Sequence, residues 1–157
     1  MIKPVKEFME AAIKEAIKAK EQGDYAIGAV VVKDNKIIAC AGCRLKTDSD
    51  PTHHAEVVVI RQAAKIFGTR HIEGCILYTT LEPCPMCASA AIWAKMKGIV
   101  YGANIKDMAE YSLKSANTDF SWRVIDIPAS TILDKGDPKL FIVGEFMREE
   151  CKKLFHS

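Results

Sequence analysis

The sequence predicts an α/β protein in which helices flank a sheet and a β-hairpin lies on one edge. Two observations carry this. Two β-branched runs separated by a polar turn open the chain's strand content, and short apolar strands alternate with helical patterns from residue 54 onward. At 157 residues the chain fits one domain, residues 1–157, with a single core. Its composition, 49% apolar and 27% charged, is that of an ordinary globular protein.

Residues 5–20 place Val5, Phe8, Met9, Ala12, Ile13, Ala16 and Ile17 at the spacing of one buried helix face. Pro4 suits the helix start and Gly23 its end. Residues 26–32 and 36–40 form the hairpin around Lys33-Asp34-Asn35, and a polar loop covers 41–52. Residues 54–67 read as a helix. The run Val57-Val58-Val59-Ile60 would also suit a strand, but the length favours helix, and Gly68 closes it. Residues 75–80 are a buried strand. Pro83 marks the start of a helix reaching about residue 95, and 98–102 is the next strand. A short helix follows over 106–114. Residues 115–139 show little periodicity, 140–143 resemble a last strand and 145–155 a last helix.

Charge and apolar pattern narrow the partners. A net charge of +2 is too weak to argue for nucleic acid, whose binding rests on clustered Lys and Arg. The longest apolar runs fall far below membrane-spanning length, and the N-terminus lacks the apolar segment of a signal peptide. A cytoplasmic location is the simplest expectation. Of the six cysteines, Cys40, Cys43, Cys75 and Cys151 lie among apolar neighbours and read as buried free thiols.

Cys84 and Cys87 are different. They form a C-x-x-C pair, and thirty residues upstream stands His54-Ala55-Glu56. One histidine and two cysteines offer three good zinc ligands, and three protein ligands leave the fourth tetrahedral position open, as catalytic zinc sites do. With Pro83 at the first helical position, Cys84 and Cys87 lie on one helix face, near amide donors that favour thiolate. Zinc makes a bound water acidic near neutral pH. Glu56, beside that water, could take its proton and pass protons to a ring nitrogen and a departing amine. The matching reaction is attack on a ring C–NH2 flanked by a ring nitrogen, with release of ammonia. A structural zinc would want a fourth ligand, for which His53 is the near candidate, and a redox pair would leave His-Ala-Glu unexplained. His71 and His156 read as surface histidines.

Thr52-His53-His54-Ala55-Glu56 and Tyr78-Thr79-Thr80-Leu81-Glu82-Pro83-Cys84-Pro85-Met86-Cys87 resemble the cytidine/deoxycytidylate deaminase superfamily. The histidine ligand is similar to the branch of guanine, fungal-type cytosine, deoxycytidylate and tRNA adenosine deaminases. The resemblance covers roughly residues 5–155. It implies a three-layer α/β/α sandwich around a mixed five-stranded sheet, one Zn2+ per chain, and a homodimer or larger assembly. Within the branch, Asp50-Pro51-Thr52, the Cys-Pro-Met-Cys pair and Trp93 are similar to guanine deaminases. Residues 148–155 look more like cytosine and tRNA adenosine deaminases. Many relatives bind substrate through an asparagine in the loop before the histidine, and this chain has Cys43-Arg44 there. By the same analogy the Ala55 backbone touches the base and the stretch from Asp119 to Trp122 walls the pocket. The Cys43-Arg44 loop and the segment from Asn117 to Arg123 are expected to close over a small ligand, with Phe120 or Trp122 stacking on its ring.

These readings favour hydrolytic deamination of a free nucleobase or small nucleoside, guanine before cytosine. A tRNA adenosine deaminase needs a basic surface, for which only Lys152 and Lys153 stand near the end of the chain. A zinc-stabilised binding module without activity is the alternative from another class, and it has no use for Glu56.

Overall fold

The computed structural model describes residues 2–156; Met1 and Ser157 lie outside the described residues. The chain forms α1 (Lys6–Glu21), β1 (Gly28–Lys33), β2 (Lys36–Gly42), α2 (Ala55–Phe67), β3 (Ile76–Leu81), α3 (Pro85–Trp93), β4 (Gly98–Ala103), α4 (Ile105–Lys114), α5 (Ala129–Lys135), β5 (Phe141–Val143) and α6 (Arg148–Lys152). The sheet runs β2-β1-β3-β4-β5. Its first three strands are antiparallel, and β3, β4 and β5 are parallel, so the sheet is mixed with the hairpin at one edge. Asp34 and Asn35, both at positive φ (50° and 59°), make the tight turn that matches the twist of paired strands.

Side-chain alternation along β1 sorts the two covering layers. Ala29 and Val31 pack with α2, α3 and α5 residues such as Val59, Ala88 and Leu133. Val30 and Val32 point the other way, against Met9 and Ala12 of α1, Met108 of α4 and Cys151 of α6. The result is a three-layer α/β/α sandwich. Glycine decides how closely α1 can lie on the hairpin. A Cβ on Gly28 would stand 2.0 Å from the Ala12 carbonyl oxygen, and one on Gly42 2.8 Å from that of Glu15. Both obstacles are backbone, so the helix could not stay in place under a side chain.

Several details depart from the sequence reading. Helix α3 begins at Pro85, with Cys84 as its N-cap, two residues later than Pro83 suggested. Helix α5 lies inside the stretch that shows no periodicity; at 7 residues it is too short to display a pattern. Helix α6 covers only 5 residues of the anticipated eleven. Cys40 is exposed on the edge strand β2, whereas Cys43, Cys75 and Cys151 are buried. His156 is no surface residue: it is buried, with 6% exposure.

Helix α4 carries a capping box. Asn104 accepts the amide of Asp107 at 2.9 Å, and the Asp107 carboxylate accepts that of Asn104 at 3.0 Å. Asp107 also receives two bonds from the Arg148 guanidinium, which holds its carboxyl below the usual carboxylate range and ties α4 to α6. Among the described residues no helix is long and apolar enough to cross a membrane.

Candidate active site

Two helix starts meet at one point. His54 is the N-cap of α2 and Cys84 the N-cap of α3, and Cys87 follows in the first turn of α3. Each N-cap has extended backbone, which turns its side chain away from the helix and toward the other start. The His54 Nδ1 lies 3.6 Å from the Cys84 Sγ and 3.5 Å from the Cys87 Sγ. Tetrahedral zinc with Zn–N near 2.0 Å and Zn–S near 2.3 Å sets nitrogen and sulfur about 3.6 Å apart. The donor set therefore fits zinc in both kind and spacing. Among the described residues it is the group of three that could hold a metal.

One of the two thiols, that of Cys84, is already prepared for a cation. The hydrogen bond from Cys87, with His54 and the Cys87 amide, overcomes burial and brings Cys84 down to about 4. That same bond, with burial and the nearby Glu56 carboxylate, pushes Cys87 well up. A divalent ion would take the place of the Cys87 proton and satisfy both sulfurs. His53 is excluded as a fourth ligand by its own partners. Its Nδ1 lies 2.9 Å from Asp48, and its Nε2 3.0 Å from Asp50.

Glu56 stands beside this group, almost fully buried in the first turn of α2. Its Oε1 accepts from the Thr79 hydroxyl at 3.1 Å and its Oε2 from the Cys87 thiol at 3.6 Å. Burial pushes its pKa up, as would suit a carboxyl that exchanges protons near neutral pH. Thr79 was not singled out from the sequence, nor was Glu82 given a role. Glu82 is buried, and it accepts the amide of Ile105 at 3.1 Å and that of Ala129 at 2.9 Å. It thus fastens the starts of α4 and α5 to the end of β3. A lone glutamate inside a longer motif gives no sign of such a task.

His54, Glu56 and Cys84 open onto a cavity of about 420 Å³, within the range of small-ligand sites. Its walls are mostly apolar, with Tyr25, Leu45 and Trp122 prominent and Ser121 and Arg123 supplying polar groups. Of the residues anticipated around the substrate, Trp122 lies in this wall, while Cys43, Ala55 and Asp119 do not line it. Cys43 is buried, with its thiol hydrogen-bonded to Asp24, and Leu45 takes the place anticipated for the Cys43-Arg44 turn. Phe120 turns from the cavity to stack on His156.

A half-buried His/Cys/Cys group with a buried acid beside it, at the floor of a cavity in an α/β/α sandwich, is the arrangement of a zinc-dependent hydrolase of amino-substituted rings. Comparison with known proteins gives the family. Residues 2–103 match the cytidine and deoxycytidylate deaminase zinc-binding region. Guanine deaminase of Bacillus subtilis is 42% identical over 123 residues, 78% of this chain and 77% of that protein. The tRNA-specific adenosine deaminase of the same organism is 48% identical over 96 residues, 61% of this chain and 60% of that protein. A solved structure from work on A-to-I editing by tRNA:A34 deaminases has a TM-score of 0.76 at 30% identity, covering 96% of this chain and 100% of that one. The chain belongs to the cytidine and deoxycytidylate deaminase family, whose deaminases are zinc-binding hydrolases acting on C–N bonds.

Proposed function

We propose that this protein hydrolytically deaminates a free nucleobase or small nucleoside, with guanine the first choice and cytosine the second. The observation that carries this is the 420 Å³ cavity, apolar-walled and closed below by His54, Glu56 and Cys84. In this reading His54, Cys84 and Cys87 hold zinc, which supplies the Lewis acidity that makes water a nucleophile near neutral pH. Glu56 would take one proton from the attacking water and deliver it to the ring nitrogen. It would then take the proton of the hydroxyl so added to the ring carbon and pass it to the amine, which leaves as ammonia while the C–N bond breaks and the carbonyl forms. Thr79 orients the carboxylate through its bond to Oε1. Trp122 and Leu45 exclude water from the flat faces of the base.

A second reading, adenosine in tRNA, is favoured by the 48% identity to a tRNA-specific adenosine deaminase. The charges along the two segments that contribute the wall residues Leu45 and Ser121 to Ile125 argue for the smaller substrate. Arg44 is engaged by Asp48, and acidic Asp48, Asp50, Asp119 and Asp126 intersperse the basic Lys46 and Arg123. A site that grips several phosphates needs an uninterrupted basic surface. Ammonia release should be measured on guanine, cytosine, adenine, their nucleosides, deoxycytidylate and a tRNA anticodon stem. Release from a free base or nucleoside, guanine foremost, is the expected result. Inosine formation in the stem, with no release from any small compound, overturns the proposal.

We also propose a cytoplasmic homodimer. All six cysteines are free, as a reducing compartment would keep them. Met96, just after α3, and Met108 of α4 belong to the core. Trp93 is 81% exposed and Leu113 89%. So large an exposed indole suits an interface. Light scattering at micromolar concentration should give the mass of a dimer and Trp93→Glu that of a monomer. A monomeric wild type refutes it.

A further inference from the structure

The cavity wall formed by Ser121, Trp122 and the three residues after them belongs to a segment without helix or strand. Something other than a backbone ladder must fix it. The residue just before the wall, Phe120, stacks on the His156 ring with centroids 3.6 Å apart and planes 7° from parallel. A direct face-to-face arrangement is not the one two aromatic rings prefer, so other contacts must impose it.

Those contacts are present on both sides. The Lys46 ammonium lies 4.0 Å from the Phe120 centroid. With the imidazole occupying one face at stacking distance, the ammonium must cap the other. Lys46 also donates to the Asp119 carbonyl. Both flanking groups hang from Asp24, which is fully buried. Its carboxylate accepts the amides of Lys46 at 3.0 Å and Thr47 at 2.9 Å, and its carbonyl lies 3.1 Å from the His156 Nε2. A carbonyl can only accept, so Nε2 carries the proton. The end of the chain and the loop before α2 thus grip one ring between them.

We infer that His156 is a positioning residue for the substrate cavity, clamping Phe120 against Lys46 and so setting where Trp122 and its neighbours stand. The proposed metal ligands and Glu56 are carried by α2 and α3 and do not depend on this clamp. Its loss should therefore weaken binding and spare chemistry. The inference rests on the small-substrate reading only for the compound used to measure KM.

In His156→Ala, KM for the base that the wild type turns over should rise about tenfold, equivalent to about 1.4 kcal/mol. The kcat should stay within about twofold and zinc content should not change. Hydrogen exchange over residues 119–125 should speed up. Lys46→Met, which opens the other side and keeps the aliphatic stem, should move KM and exchange in the same direction, and it serves if the His156 variant does not fold. Unchanged exchange in both variants, or kcat falling in step with a lowered Tm while KM stays fixed, overturns the inference. Exchange reads the clamp without substrate. A wild type inactive on every small compound would thus refute the substrate reading, while exchange still decides the clamp.

Discussion

Glu56→Gln is expected to remove almost all turnover while leaving the metal and the fold in place. The amide keeps the volume of the carboxylate and an oxygen that can still accept from Thr79 at the 3.1 Å contact. It cannot take up a proton near neutral pH. A single general acid–base transfer is worth roughly 10²–10⁴-fold, and in the proposed mechanism one carboxyl serves several transfers, so kcat should drop by at least that range. Stability should hold or rise, because a neutral side chain replaces an ionisable one in a nearly water-free place. Zinc per chain, melting temperature and ammonia release measured on one preparation decide the matter. Activity within about tenfold of wild type would remove Glu56 from the mechanism.

The second large effect is expected from Cys87→Ala. Cys87 is fully buried, 3.5 Å from the His54 ring nitrogen, and no other described histidine or cysteine is placed to replace it. Zinc content should fall from about one per chain to a small fraction, and activity with it. The melting temperature should fall too, because an ion bound only by the folded state adds about 2.7 kcal/mol once its concentration is about 100 times its Kd. Chelation of the wild type should reproduce the variant, and added zinc should restore the wild type but not the variant. A fully metallated, active Cys87→Ala protein would show that the ligands lie elsewhere.

Much of this was legible in the sequence because the elements that hold the metal group are local and strongly patterned. The β-branched runs before and after Asp34-Asn35, the apolar spacing of α1 and the His54, Cys84 and Cys87 spacings need only neighbours to be interpreted. Substrate contacts were less legible, since they depend on distant partners. Nothing near Cys43 says that its thiol turns to Asp24, nineteen residues earlier, and leaves the cavity to Leu45. Nothing near His156 says that an aromatic ring thirty-six positions upstream will bury it. Helix α5 escaped notice for a third reason. Its start depends on the Glu82 carboxylate, 47 residues away, and its own 7 residues carry too little periodicity.

That Glu82 contact has a consequence for how such a protein can change its diet. Its two carboxylate oxygens hold residues 105 and 129, so the intervening stretch leaves and returns at one fixed post. Within it lie the wall residues from Ser121 onward, whereas every proposed metal ligand and Glu56 lie outside it. The part of it after α4, residues 115–128, has neither helix nor strand, and doubling the length of a flexible loop costs only about 0.6 kcal/mol in closure entropy. Substrate preference can then drift by insertion, deletion or exchange of that one stretch while the reactive machinery stays as it is.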